Sequence, residues 1–237
     1  MRLRDGLLMT LLVPLSLLGS VAVHADPLDL KPFRATYSAE WKGMTAGSSV
    51  LELRAAGNGL YAYTSTNTAR GLFRMAFPDA LSQTSTFRVT DGKVIPLTFR
   101  GADEKQREIN LVFDWTQLRV TGTAKDHPVD LALPADAQDP MSLQIASLRE
   151  LAAGKLKPTI WMVDSDKLKD YELRQEGSAR LGTALGDLDT VIYTSKRANS
   201  DRVTRTWVAP ALGYLPVRAE RIRGKKVEFT LNIESVD

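Results

Sequence analysis

Histidine and cysteine, the side chains behind much nucleophilic and metal chemistry, are nearly absent from this sequence. Its 237 residues include no cysteine and two histidines. Without cysteine there can be no disulfide, thiolate metal site or cysteine nucleophile. His127 precedes Pro128 in a polar turn, and no Gly-x-Ser-x-Gly segment occurs, so nothing supports a serine triad. We predict a surface or hairpin role for His127.

Acidic side chains offer two further kinds of chemistry. The pairs Asp164/Asp166 and Asp187/Asp189 lie at turns, but neither stretch supplies the ligand set of a calcium loop. The sequence therefore predicts no metal and no cofactor. Hydrolysis of an envelope polymer would need two carboxylates that face each other across a cleft. Acids in strand-like stretches keep this hydrolase alternative open, and they are Glu40, Glu52, Glu108, Asp114, Glu172 and Glu220.

An apolar connector is the most suggestive feature for binding. Between two strand-like stretches, Arg70 and Arg74 flank a short segment without alternation that ends at Pro78. Its apolar residues are Leu72, Phe73, Met75 and Phe77. Such an adaptable surface could gate an apolar ligand at the mouth of a curved sheet, or it could simply plug the open end. Tyr61, Tyr63 and Trp161 are further candidates for a pocket lining, with ordinary core packing as their alternative.

Basic residues cluster near the C-terminus, and they are Arg218, Arg221, Arg223, Lys225 and Lys226. The formal net charge of the whole chain is only +3, which gives no support for nucleic-acid binding. One interpretation is an edge strand whose charges protect it from aggregation. The other is a contact with an anionic lipid, a polysaccharide or an envelope protein.

The N-terminal 25 residues are typical of an export signal. Arg2 and Arg4 precede an apolar run over 7–18, which is shorter than the ~20 residues of a membrane-spanning helix. Val23-His24-Ala25 fits the small-residue pattern of a cleavage site, so we predict cleavage after Ala25. We therefore expect one β-rich domain over 26–237, located in the periplasm and without a stable transmembrane segment.

Short strands joined by turn signals make up most of this domain. Residues 33–41 alternate between apolar and polar types, which is the period of a half-buried strand. Asn58-Gly59 and Asp91-Gly92 predict tight hairpin turns, and Pro96 indicates an edge or a bulge. In mid-chain, Asp139 and Pro140 suit the start of a helix that Gly154 would close. The fold class predicted is all-β, a curved antiparallel sheet forming a barrel or half-barrel with one mid-chain helix.

Two groups of residues resemble an exported bacterial family, domain of unknown function 3108. One is Asp139-Pro140-Met141-Ser142 entering a helix that ends Leu148-Arg149. The other is Thr206-Trp207-Val208 followed by Leu215-Pro216-Val217-Arg218. The resemblance covers residues 32–233 and implies a Gram-negative periplasmic setting and a curved β-sheet. It implies no activity and no catalytic residues. The family also resembles the lipid-binding proteins of lipoprotein transport, but this similarity concerns the fold alone.

Three functions follow as hypotheses, and the sequence favours a non-catalytic one. The first is binding of a lipid or another apolar or amphipathic envelope molecule in or on the curved sheet. The second is an envelope-assembly factor that binds a protein or polysaccharide partner through a sheet edge or the basic cluster. The third is the carboxylate-dependent hydrolase.

Overall fold

A computed structural model describes residues 30–77, 79–103 and 105–237 of the chain. The predicted export signal, residues 1–25, lies outside the described residues. Within the described ranges, no helix is both long enough and apolar enough to cross a membrane.

All strands of the described chain join one antiparallel sheet, and two helices of unequal length interrupt them. The strands are β1 Phe33–Trp41, β2 Met44–Gly57, β3 Leu60–Ala69, β4 Leu81–Thr90, β5 Lys93–Ala102, β6 Glu108–Asp114, β7 Arg119–Ala124, β8 His127–Ala132, β9 Thr159–Asp164, β10 Lys167–Thr183, β11 Gly186–Arg197, β12 Arg202–Ala209, β13 Leu215–Arg223 and β14 Lys226–Val236. The helices are α1 Phe73–Ala76 and α2 Ser142–Ala152.

Neighbouring strands of the sheet are consecutive in the sequence, except that the last strand pairs with the first. Successive strands pair as hairpins from β1 to β8 and from β9 to β14, and β14 pairs with β1. Backbone hydrogen bonds between Arg34 and Asp237, at 2.9 and 3.0 Å, extend this β1–β14 seam. The outer strands are therefore β8 and β9, which lie on either side of α2 in the sequence.

The predicted turns and the predicted bulge are confirmed. Asn58 and Gly59 both have positive φ, as do Asp91 and Gly92, which is the geometry of the tightest hairpin turns. The register of β5 against β4 shifts at Pro96, which pairs with Phe87 while Thr98 pairs with Thr86. The ladder of β10 and β11 continues through Gly182 to Thr183 and Gly186.

The predicted fold class is confirmed, in its half-barrel form. The sheet is curved around a core shared by both halves of the chain, and it is not closed into a barrel. The backbone of Gln138 hydrogen-bonds Trp161 and Val163 of β9, both at 2.8 Å. On the same side, Lys125 in the β7–β8 turn forms an ion pair of 3.1 Å with Asp166 in the β9–β10 turn. Because of these contacts, the segment before α2 partly covers the β9 edge.

The helix α2 is buried within the curve of the sheet, and one carboxylate fixes its start. The backbone N–H groups of Met141 and Ser142 donate to Oδ1 of Asp139 at 2.8 and 2.9 Å. The hydroxyl of Ser85 on β4 donates to Oδ2 of Asp139 at 2.6 Å. The predicted cap is thus confirmed, and the same fully buried side chain also attaches α2 to the sheet.

Replacing Asp139 by alanine should lower the free energy of unfolding by about 2–4 kcal/mol, because buried donors lose their acceptor. Denaturant titration followed by circular dichroism measures this. Asp130→Ala is the control, since Asp130 forms an exposed pair with Arg119 and should cost less than about 1 kcal/mol. An equal, small loss in both variants would contradict a structural role for Asp139.

The same site should also make stability depend on pH. Burial raises the pKa of the Asp139 carboxyl, although hydrogen bonds from Ser85, Ser142 and Met141 oppose the rise. The folded state therefore holds the proton more tightly than the unfolded chain does. The carboxyl's contribution to stability should be greatest in acid and should be lost as the pH rises through its folded pKa. The stability difference between the protein and Asp139→Asn, measured from about pH 3 to neutrality, should show this decline.

Candidate ligand cavity

A cavity of about 330 Å³ lies between α2 and the concave face of the sheet. The residues that line it come from α2 and its approach, from β1 and β2, and from β10 to β14. They are Tyr37, Leu51, Pro140, Leu143, Gln144, Ser147, Leu173, Tyr193, Ser195, Thr204, Thr206, Arg218, Ala219, Glu220, Arg221, Phe229 and Leu231, together with Pro216. Helix α2 therefore forms one wall of the cavity and the strands form the other.

Cross-strand register arranges the strand wall into two rows. Residues directly opposite each other in neighbouring strands share a face of the sheet. The first row is Tyr193, Thr206, Ala219, Leu231 and Ala39. The second row is Leu173, Ser195, Thr204, Arg221 and Phe229. Both rows face α2, because Ala39 and Leu173 belong to the buried interior.

The two rows differ in burial, which shows where the cavity opens. In the first row, Tyr193 and Thr206 are buried. In the second row, Ser195, Thr204, Arg221 and Phe229 are partly exposed. The cavity therefore has its mouth at the end of the sheet that carries the β1–β2, β11–β12 and β13–β14 turns.

Tyrosines at the closed end carry the polar groups of the interior. The hydroxyl of Tyr37 donates to the carbonyl of Pro216 at 2.7 Å, and that of Tyr63 donates to Oε1 of Gln144 at 3.4 Å. Burial raises the pKa of Tyr193 to about 12 and also raises the pKa of Tyr37 and Tyr63. These phenols stay neutral at ordinary pH, so the closed end carries no charge from them.

Arg221 supplies a cation at the mouth. Its guanidinium carbon lies 5.7 Å from the ring centres of both Trp41 and Phe229. Its Nε is buried, and within the described residues no atom hydrogen-bonds it. Oε2 of Glu228 lies 3.9 Å from that Nε, too far for a hydrogen bond. The aromatic rings therefore hold a guanidinium that keeps hydrogen-bonding capacity for another group.

Glu228 is shared among several arginines beside the mouth. Its carboxylate, whose side chain is 12% exposed, lies 3.5 Å from Nε of Arg202 and 3.2 Å from Nε of Arg223. Arg223 also approaches Asp201 at 3.7 Å. With Arg221, three guanidinium groups surround Glu228, so this carboxylate does not neutralise them all.

The convex face carries a separate charged group. Arg218 pairs across the sheet with Trp207, and its guanidinium lies 5.5 Å from that ring. It donates two hydrogen bonds, at 3.0 and 2.6 Å, to the carboxylate of Glu220. Glu220 is also the one acidic residue among those that line the cavity. The described lining thus lacks the facing pair of carboxylates that the hydrolase alternative requires.

The structure separates the residues that the sequence grouped as ligand contacts. Leu72 and Met75 are about four-fifths exposed, at 80% and 82%, and they lie outside the cavity. Tyr63 is fully buried in the core, and Tyr61 stacks on Phe87 at 5.7 Å. The remaining members also lie outside the lining: Phe73 half-buried on α1, and Phe77 and Trp161 exposed. A ligand role for this set stays a prediction.

The basic cluster is divided between the two faces and a turn. Arg221 lies on the concave side, Arg218 on the convex side, and Arg223, Lys225 and Lys226 surround the β13–β14 turn. The interpretation of this segment as an edge strand is wrong. β13 and β14 lie in the middle of the sheet, because β14 pairs with β1. His127 is exposed at the start of β8, as predicted.

The paired acids form ion pairs at turns. Asp164 pairs with Lys169 and Asp166 with Lys125, while Arg180 lies near both Asp187 and Asp189. Over the described ranges, no three acidic or histidine side chains come together as metal ligands would.

Sequence reasoning missed most of the lining. The sequence does not single out Leu143, Leu173, Tyr37, Tyr193 or Phe229 as ligand contacts. The available signal was alternation, which places Tyr37 and Tyr193 on the inward face of their strands. Alternation does not show which inward side chains leave space between them, because that depends on where α2 lies.

Comparisons with known proteins agree with this architecture. The family described as "Protein of unknown function (DUF3108)" matches residues 36–230. A beta-barrel-like protein of domain of unknown function DUF1849 from Brucella abortus has a similar fold, with a TM-score of 0.58 and 13% identity over 89% of this chain and 98% of that one. No protein with a curated functional description matches the sequence.

More distant similarities extend to two further solved structures. A putative exported protein with a YmcC-like fold from Bacteroides fragilis gives a TM-score of 0.40, with 10% identity over 89% of this chain and 97% of that one. MucB in the Pseudomonas aeruginosa MucA/MucB complex gives a TM-score of 0.38, with 12% identity over 87% of this chain. The match spans about half of that protein, 51% of its chain.

Proposed function

The chain belongs to the DUF3108 family, and we propose that it binds an amphipathic molecule of the cell envelope. The description of the family names no activity. The cavity is therefore the best guide to the function of the protein. The apolar part of that molecule would occupy the space between α2 and the sheet. The export pattern of residues 1–25 supports a periplasmic location. The single observation that carries the proposal is the 330 Å³ cavity, which is apolar within and has a cation at its mouth.

The size of the cavity favours a single chain. A volume of 330 Å³ is at the lower end of the ~300–1,000 Å³ range of small-molecule sites. Leu51, Leu143, Leu173, Phe229 and Leu231 provide the apolar contacts. Each methylene shielded from water contributes roughly 0.8 kcal/mol, so one short acyl chain supplies enough free energy without any reactive group.

The chemistry of the mouth favours an anionic head. The guanidinium of Arg221 lies against the rings of Trp41 and Phe229, and no atom of the described chain hydrogen-bonds its buried Nε. A carboxylate or phosphate could accept hydrogen bonds from it in a charge-assisted pair. Ser195 and Thr204 lie in the same row and add hydroxyl donors beside it. The ligand proposed is therefore an acyl chain with a carboxylate or phosphate at one end.

Filling the cavity should abolish binding. Ala219 lies in the first row of the strand wall, so the ring of Ala219→Phe would project into the space that the chain needs. We expect native mass spectrometry of the exported protein to show a co-purifying small molecule, and this variant to lose both that molecule and uptake of a fluorescent fatty acid. Ala55→Phe, which adds the same ring at an exposed position on β2, should keep both. An unmodified protein that shows neither a bound molecule nor uptake would refute the proposal.

Arg221 should bind the anionic head group of the ligand and should contribute little to binding of its acyl chain. Arg221→Gln should weaken binding of a fatty acid by about 10- to 100-fold, the value of a charge-assisted hydrogen bond. Binding of the matching fatty alcohol should change little. Arg205→Gln is the control, because Arg205 lies outside the cavity lining and donates to Glu176 at 2.8 Å. Calorimetric titration of both ligands against both variants measures these effects, and an equal loss for acid and alcohol would contradict the assignment.

The free edge of β8 supports a second candidate function, binding of a partner protein. β8 is an outermost strand of the sheet, so the backbone groups along its outer side can accept an added strand. In this arrangement the partner would extend the sheet at His127–Ala132.

A photo-crosslinking residue at Asp130, exposed in mid-β8, should capture such a partner in cells. A crosslinker at Arg88, exposed on the interior strand β4, should not capture it. Equal capture, or none, from both positions would rule out strand addition at β8.

A further inference from the structure

One end of the half-barrel combines exposed apolar side chains with an excess of basic over acidic side chains, and the cavity opens at this same end. Three connections form it: the β1–β2 turn, the β3–β4 connector that contains α1, and the β13–β14 turn. They are neighbours in space, since Arg70 N–H donates to the carbonyl of Ala46 at 2.8 Å and Lys42 N–H to that of Glu228 at 3.0 Å. We call this surface the rim.

Exposed apolar residues concentrate on the rim. Eight large hydrophobic side chains are exposed over the described chain, and five of them are here. The five are Met44, Leu72, Met75, Phe77 and Val227, with 40–82% of each exposed. Singly exposed hydrophobic residues are normal on a protein, but a grouped set next to a binding cavity marks an interaction surface.

The connector presents these side chains outward. Leu72 and Met75 are three residues apart around the helical turn of α1, so they project from one side of it. Phe73 is half-buried, and α1 lies beside β3. The connector thus has an attached side and a free apolar side.

Positive charge surrounds the apolar residues. The three connections, residues 42–46, 70–80 and 223–228, contain six basic and two acidic side chains. The basic ones are Lys42, Arg70, Arg74, Arg223, Lys225 and Lys226, and the acidic ones are Asp79 and Glu228. Glu228 is already shared by three arginines. The rim alone therefore has a net charge of +4, which exceeds the net charge of +3 of the whole chain.

We propose that the rim docks on the surface of an anionic lipid bilayer, with its apolar side chains inserted among the acyl chains and its basic side chains against the headgroups. Apolar burial and attraction to anionic lipid act together in such interfacial binding. Charge complementarity selects the bilayer over an apolar protein groove. In this orientation the cavity mouth faces the membrane. The docking does not depend on an occupied cavity, and so goes beyond the proposed function.

Flotation with lipid vesicles tests the docking. The protein is taken as cells export it, with its N-terminus determined by mass spectrometry. It should float with vesicles of phosphatidylethanolamine and phosphatidylglycerol, and much less with vesicles of phosphatidylcholine alone. Leu72→Ser with Met75→Ser, and separately Lys225→Glu with Lys226→Glu, should each weaken binding to the anionic vesicles by at least about tenfold.

Matched controls separate the rim from general effects. Leu118→Ser with Val112→Ser removes two apolar side chains that are about half exposed elsewhere on the protein, and Arg88→Glu reverses one exposed charge away from the rim. Both should bind the anionic vesicles like the unmodified protein. Ala219→Phe should also bind them normally, which distinguishes failure of the docking from failure of the cavity proposal.

Two results would overturn the docking. One is equal flotation of the rim variants and their controls. The other is self-association in sedimentation velocity that the rim variants abolish while vesicle binding is absent, since the rim would then be a contact between two copies of the chain.

Discussion

The position of α2 depends on one buried carboxylate, and the cavity depends on the position of α2. Asp139 accepts hydrogen bonds from the first turn of the helix and from Ser85 in the sheet. A carboxylate this deeply buried is costly unless its oxygens are hydrogen-bonded, and here both oxygens are. The residue therefore attaches the start of the helix wall to β4, and the space that remains between α2 and the strand wall is the candidate site.

An open sheet has two consequences for such a site. Its curvature creates an interior, while the gap between β8 and β9 gives the helix a place to enter that interior. Without cysteine, the arrangement relies on packing and hydrogen bonds. Two contacts stabilise the open side of the sheet, between β8 and β9. They are the hydrogen bonds of Gln138 with β9 and the ion pair between Lys125 and Asp166.

Local signals in the sequence predicted the architecture well. Alternation in β1, the Asn58-Gly59 and Asp91-Gly92 turns, and the Asp139-Pro140 cap all depend on neighbouring residues, so they can be identified without knowing the fold. The cavity depends on relations between distant segments. Tyr37, Leu143 and Phe229 become neighbours only through the β1–β14 pairing and the placement of α2, and no local pattern contains that information. The same limit explains the error over β13, whose charges resembled those of an edge strand although it lies in the middle of the sheet.

The seam between β14 and β1 gives the sheet an unusual dependence on the end of the chain. In most hairpin meanders the final strand lies at a border, and its removal leaves the other strands paired. Here, Lys226–Val236 forms the link between β13 and β1, in the interior of the order. During synthesis, β1 to β8 would emerge before α2, and they would have to await β14 before the two halves of the sheet could join. Loss of β14 would accordingly open the sheet along its middle, at the wall of the cavity.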